Sequence, residues 1–179
     1  MEKVIYVIRH CSAEGQAPNA DLTMEGISQA KMLVDFFEGI LIDRIITSPF
    51  VRALQSAGPL AEAKGLHIEQ DSRLSERVLS SHDLQDWLVK LEETFLNYDL
   101  KFEGGESSME AMNRVRSVVD RLEAGSQTVL VTHGNLMTLL LSSFDKRFGF
   151  KKWKELTNPD VFLIRVVNDE VSVERIWNG

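Results

Sequence analysis

The chain has 179 residues, enough to bury one continuous core, and its 44% hydrophobic and 26% charged content is that of a globular domain. A net charge of −7 argues against nucleic acid or an anionic membrane as the partner, so an anionic ligand has to be held by a local cluster of cations. One cysteine, Cys11, excludes an internal disulfide and a multi-thiolate metal site, and no apolar run approaches the ~20 residues that span a bilayer.

Residues 3–9, KVIYVIR, read as a strand ending in the pair Arg9-His10. So short an apolar run does not resemble a signal peptide, and a cytoplasmic location is expected. Residues 24–38 set Ile27, Ala30, Leu33, Val34 and Phe37 at helical spacings, with Thr23 as N-cap. Residues 43–48, DRIITS, form a short apolar strand that stops at Ser48-Pro49, and Pro49 suits the first turn of a helix over 50–64 that Gly65 terminates. Residues 66–70, LHIEQ, are another strand. Leu84, Trp87, Leu88, Leu91 and Phe95 make one face of a helix over 81–97, and Met109, Met112, Val115, Val119 and Leu122 one face of a helix from Ser107/Ser108 to Leu122. QTVLVTHG (127–134) is an apolar strand ending at Thr132-His133-Gly134, followed by an apolar helix over 136–144. The basic run 145–154 reads as a solvated loop, His67 and His82 as solvated polar residues, and Trp87 and Trp153 as packing residues. VFLIRVV and EVSVERI close the chain as a hairpin turned by Asn168-Asp169.

Strands and helices alternate, and the strands are apolar throughout. That pattern predicts one α/β domain over 1–179, a three-layer α/β/α sandwich with a mainly parallel central sheet. Arg9-His10, Ser48 with Arg52, and His133-Gly134 all fall just past the carboxyl end of a predicted strand, the edge where open α/β sheets bind ligands. One crevice then gathers Arg9, His10, Arg52 and His133, with Glu76 of RLSER as a further candidate. Guanidiniums bind phosphoryl oxygens bidentately, and a neutral imidazole is a competent nucleophile at phosphorus. A second, protonated imidazole stabilises the transferring group, and a carboxylic acid protonates the leaving alkoxide and later activates water. This chemistry demands no metal and no cofactor, and the expected partner is a small phosphorylated substrate rather than nucleic acid or membrane. Oligomeric state is left open.

The chain resembles the histidine phosphatase superfamily, also called the phosphoglycerate mutase-like family. The blocks that carry the resemblance run in the family's order: RHC (Arg9–Cys11), LTMEGISQA (Leu22–Ala30), TSPFVRALQSA (Thr47–Ala57), RLSE (Arg73–Glu76), GGES (Gly104–Ser107) and VTHG (Val131–Gly134). The resemblance implies a phosphoglycerate mutase-like fold, and makes His10 the transiently phosphorylated histidine. Arg9, Arg52 and His133 become the phosphate pocket and Glu76 the proton donor. Gln16 falls where many members carry a phosphate-contacting Asn, and the Gly134 N–H adds a donor. Ser107 is expected to cap its helix.

Two departures stand out. Cys11 replaces the family's usual Gly, which costs free energy if the backbone there needs positive φ or a close approach to phosphate; the thiol is either a small buried residue or a redox-sensitive group beside the nucleophile. The segment after Glu76 lacks the usual glycines, and Asp83 is the alternative acid. The expected activity is metal-independent phosphomonoester hydrolysis through a phosphohistidine on His10. Phosphoglycerate mutase-type transfer is the alternative within the family, set back because mutases carry larger insertions and a longer C-terminal tail than this chain offers. A non-catalytic phosphoryl-binding module is the alternative outside enzymes.

Overall fold

In the computed structural model, which describes residues 1–179, six strands share one sheet: β1 (Glu2–Arg9), β2 (Arg44–Thr47), β3 (Ile68–Gln70), β4 (Gln127–Thr132), β5 (Asp160–Val167) and β6 (Glu170–Arg175). Their order across the sheet is β3-β2-β4-β1-β5-β6. The first four in that order are parallel, and β5 and β6 are antiparallel additions at one edge. The mainly parallel sheet expected from the apolar runs is therefore present.

Alternation along the strands separates two apolar layers, because successive side chains leave a strand on opposite faces. Val4, Tyr6 and Ile8 of β1, with Val129 and Val131 of β4, pack against α1 (Met24–Phe36) and α2 (Val51–Lys64) through Leu33, Phe37, Ala57 and Leu60. Ile5, Val7 and Leu130 face the other way, onto α4 (Ser108–Asp120) and α5 (Gly134–Ser142) through Met112, Val115, Met137 and Leu140. Two shorter helices, α3 (Trp87–Leu96) and α6 (Phe150–Lys154), lie against each other at Trp87 and Trp153, whose rings meet edge-on at 6.3 Å.

The caps follow local chemistry. Thr23 accepts from the Gly26 N–H at 2.9 Å. Ser107 and Glu110 form a reciprocal capping box on α4, an arrangement worth about 1 kcal/mol. Gly65 ends α2 in the left-handed conformation, φ +64°, which a residue with a Cβ adopts only at a cost. Asn168 and Asp169 both take positive φ, as a two-residue hairpin turn requires.

Four boundaries differ from the sequence expectation. Residues 81–86 are not helical, and α3 begins only at Trp87, because Ser80 and Ser81 spend their hydroxyls on the Glu103 carbonyl across the loop. The helix after β4 starts at Gly134, two residues early, and ends at Ser142. Pro49 precedes the N-cap Phe50 instead of lying in the first turn, while Pro59 sits inside α2 and forgoes one backbone bond there. The basic run expected to be loop contains α6.

Candidate active site

The sheet register places the expected residues at one edge. Arg9 stands opposite Thr132 and Thr47 opposite Val131, so β1, β4 and β2 finish level with one another. Hydrogen bonding continues past the strand ends: the His10 N–H donates to the Thr132 carbonyl at 3.0 Å, and the Ser48 N–H to the Val131 carbonyl at 2.9 Å. His10, Ser48 and His133 are thus fixed by the sheet itself rather than by loops.

His10 is buried, and its tautomer follows from geometry. Nδ1 lies 2.7 Å from the Cys11 carbonyl oxygen, which accepts only, so Nδ1 carries the proton and Nε2 presents its lone pair. Arg52 Nε donates to that Nε2 at 3.2 Å. The Arg52 guanidinium, 1% exposed, also donates through Nη1 to the carbonyls of Gln16 and Ala17 at 3.1 and 2.9 Å. Arg9 donates through Nη1 to the carbonyls of Leu156 and Thr157, at 3.2 and 3.4 Å. Its guanidinium passes so close to the start of α5 that a Cβ at Gly134 would meet Arg9 Nε at 3.0 Å, a tight contact that would require the Arg9 side chain to give way slightly.

His133 is the N-cap of α5, fully buried, with its ring centroid 5.2 Å from that of His10 and 4.8 Å from that of Phe50. Its Nε2 meets Ser48 Oγ at 2.8 Å. Ser48 Oγ also accepts the Phe50 N–H at 3.2 Å, and with a second lone pair and its own hydrogen it can either donate to Nε2 or accept from it. Nδ1 has no partner within the protein, and the same is true of Arg9 Nε and Asn135 Oδ1. Buried polar atoms are ordinarily satisfied, so three orphans converging on the start of α5 mark a place built for a polar ligand.

Glu76 completes the group from the segment after a 3₁₀ turn, Ser72–Leu74. Its Oε2 accepts the Asn135 N–H at 3.1 Å, and its Oε1 accepts the Leu136 and Arg77 N–H groups at 2.9 and 2.8 Å. The carboxylate therefore caps the same helix that begins with His133.

Burial is the first cause of the shifts here. It lowers the His10 imidazole to about 4, with the Arg52 and Arg9 charges acting the same way and the Cys11 carbonyl opposing. It lowers His133 to about 2, aided by His10 and Arg52. It also pushes Arg9 and Arg52 down from the ordinary arginine value, while Glu76 pulls both back up. Two guanidiniums against one carboxylate leave the crevice positive in a chain of charge −7. In the absence of an anion, burial and these cations favour the neutral form of the His133 ring.

Arg9, His10, Arg52, Glu76, His133 and Gly134 are brought together. Gln16 contributes its backbone carbonyl, and its side chain is exposed. Asp83 is exposed on the 75–86 loop beside His82 and Trp87, and makes no hydrogen bond with the group. Cys11 does not take positive φ, so its Cβ carries no backbone penalty; it is fully buried against α1 and α2, and burial pushes its thiol up to about 11. No three His, Cys, Asp or Glu side chains gather as a metal cluster. No helix is long and apolar enough to cross a membrane.

Sequence reasoning placed Ser48 at this edge without a role, and missed Asn135, Arg77 and Asn158. Asn158 donates through Nδ2 to the His10 carbonyl at 2.8 Å. Only Ser48 carried a signal, its position one residue past a strand.

The family profile described as "Histidine phosphatase superfamily (branch 1)" matches residues 5–178. A Salmonella choleraesuis protein named "Probable phosphoglycerate mutase GpmB" is 29% identical over 170 residues, spanning 84% of this chain and 77% of its own. A mycobacterial glucosyl-3-phosphoglycerate phosphatase superposes with a TM-score of 0.77 at 21% identity over 100% of both chains. A phosphoglycerate mutase from Bacillus anthracis does so with a TM-score of 0.78 at 18% identity, over 98% of this chain and 92% of that one. At these identities the structural likeness speaks for the fold.

Proposed function

The chain belongs to the histidine phosphatase superfamily, and from that premise we propose that it hydrolyses small phosphomonoesters through a phosphohistidine on His10. The observation that carries the reading is the His10 tautomer: Nδ1–H is spent on the Cys11 carbonyl, and the Nε2 lone pair faces the crevice that Arg52 and His133 share. Phosphoryl oxygens compete for the Arg52 N–H that Nε2 now accepts, which frees the lone pair as substrate binds. Nε2 attacks phosphorus and the ester P–O bond breaks. Arg9, Arg52 and His133 Nδ1–H balance the charge on the phosphoryl oxygens. Glu76, when protonated, gives its proton to the leaving alkoxide, and Oε2, with a single hydrogen bond, is the oxygen suited to hold it. In the second half Glu76 takes a proton from water, the water oxygen bonds to phosphorus, and the P–N bond breaks to release phosphate.

The test is turnover of p-nitrophenyl phosphate by the protein and by His10→Ala, in EDTA, together with acid-quench trapping of an acid-labile phosphoprotein. Turnover and trapping that both vanish in His10→Ala support the reading. Equal rates in the two proteins refute it. A second reading, mutase-type transfer between phosphoglycerate hydroxyls, is favoured by the name of the Salmonella relative. It predicts isomerisation of 3-phosphoglycerate faster than its hydrolysis. Phosphate binding without turnover would instead mark a binding module.

A further inference from the structure

Arg77 is a buried cation that the chemistry above does not use. It is 5% exposed, and burial lowers it from the ordinary arginine value while Glu106 and Glu76 oppose. Its hydrogen bonds go to a carbonyl and a hydroxyl rather than to a carboxylate: Nε and Nη2 donate to the Glu106 carbonyl at 3.0 and 2.8 Å, and Nη1 to Thr94 Oγ1 at 3.1 Å. A guanidinium buried without a bonded counter-charge is costly, and a chain keeps one where the planar fork does something an apolar side chain does not. Here the fork joins α3, through Thr94, to the segment before α4, through Glu106. The backbone N–H of the same residue holds Glu76 Oε1 at 2.8 Å. Arg114 grips the other side of that segment: it pairs with the Glu106 carboxylate and donates to the carbonyls of Arg73 and Glu76.

We propose that Arg77 is the positioning residue of Glu76: its side chain anchors the peptide whose N–H fixes the carboxylate at the start of α5. The inference rests on the reading of Glu76 as the proton donor. An alkoxide leaving group needs that proton and p-nitrophenolate does not, so misplacing Glu76 slows alkyl esters selectively. A fault confined to folding or phosphate binding slows both alike.

The experiment compares kcat/KM, which reports through leaving-group departure, for β-glycerophosphate and p-nitrophenyl phosphate in the wild type, Glu76→Gln, Arg77→Met and Arg77→Lys. Lysine keeps the charge but offers one nitrogen in place of the fork. The alkyl-to-aryl ratio is expected to fall about tenfold or more in both Arg77 variants, in the same sense as in Glu76→Gln. If Arg77→Met does not fold, the ratio in Arg77→Lys decides. A fall in Glu76→Gln with an unchanged ratio in folded Arg77 variants overturns the inference alone. An unchanged ratio in Glu76→Gln overturns the acid reading and the inference with it.

Discussion

Anion binding is expected to bring a proton with it. His133, held at about 2 by burial and neighbouring cations, is neutral until a dianion enters the crevice. An anion attacked by His10 and held by His133 lies between rings whose centroids are 5.2 Å apart, so that separation sets the scale. Two negative charges at that distance, in an effective dielectric of about 20, favour the imidazolium by about 6 kcal/mol, enough to lift the ring to about 7. The proton goes to His133 rather than His10. A proton on His10 Nε2 would face the Arg52 N–H at 3.2 Å, whereas the Ser48 hydroxyl has a lone pair free to accept from a protonated His133 Nε2. Sulfate is the probe because it stays a dianion across the range. Calorimetric titration at pH 6 in two buffers of different ionisation enthalpy should show close to one proton taken up per sulfate. Binding should then weaken as pH rises through about 7. Heats independent of buffer would refute the electrostatics. Uptake that survives in His133→Asn would place the proton on the nucleophile and refute the assignment of roles.

The same two histidines make the anion-free protein sensitive to acid. Their folded values lie below the unfolded 6.5, so the unfolded chain binds more protons below that pH; stability is complete above about 6.5 and is lost on acidification toward about 4 for His10 and about 2 for His133. At pH 5 each contributes a loss of about 2 kcal/mol, read as a lower urea midpoint than at pH 7.5, and a His10→Asn/His133→Asn double variant should flatten that difference. Ser48→Ala removes the partner of His133 Nε2 and should lower kcat about tenfold with a smaller change in KM; an unchanged kcat would mean that Ser48 only terminates a strand. Cys11, buried and with its thiol raised to about 11, should react with Ellman's reagent at pH 7.5 only as fast as the protein unfolds, and rapid labelling of native protein would restore the redox reading.

The sheet and the three strand-end segments are readable because they rest on local signals: apolar runs of strand length, caps such as Thr23 and Ser107, and the terminator Gly65. Arg9, His10, Ser48 and His133 follow from those strands, since a residue just past a strand end has its place set by the register. Glu76 was only a candidate until the family resemblance gave it a role, because it reaches the site from a segment after a 3₁₀ turn whose position no periodicity specifies. The downward shift of His133 was out of reach, since it depends on the sum of burial and four neighbouring groups, His10, Arg52, Arg114 and Arg9. Residues 81–86 failed for a tertiary reason: the apolar spacing is helical, but Ser80 and Ser81 are captured by the Glu103 carbonyl, and that contact lies 22 or 23 residues away in sequence. Arg77 carries no sequence signal at all, because its partners, Thr94 and Glu106, are brought to it only by the packing of α3 beside α4.

On the proposed mechanism, the cap on α5 ties the acid–base residue to the phosphate pocket. His133 is the N-cap of that helix, Asn135 and Leu136 are its second and third residues, and Glu76 accepts both of their amide N–H groups. A shift of Glu76 therefore pulls on the turn that carries His133, and the absence of a side chain at Gly134 is what lets the Arg9 guanidinium pass beside that turn. Glu76, His133 and the Arg9 guanidinium thus meet at a single helical turn of a helix buried along its whole length. His10 and Arg52 stand outside that turn, just past β1 and on α2, and share their own hydrogen bond. The site thus has two halves, one with His10 held at the sheet edge and one with Glu76 and His133 held at the start of α5. On the proposed mechanism a substrate phosphoryl group would join them, since the His10 and His133 rings lie with centroids 5.2 Å apart. Perturbations within one half should be strongly non-additive with each other and close to additive across the two.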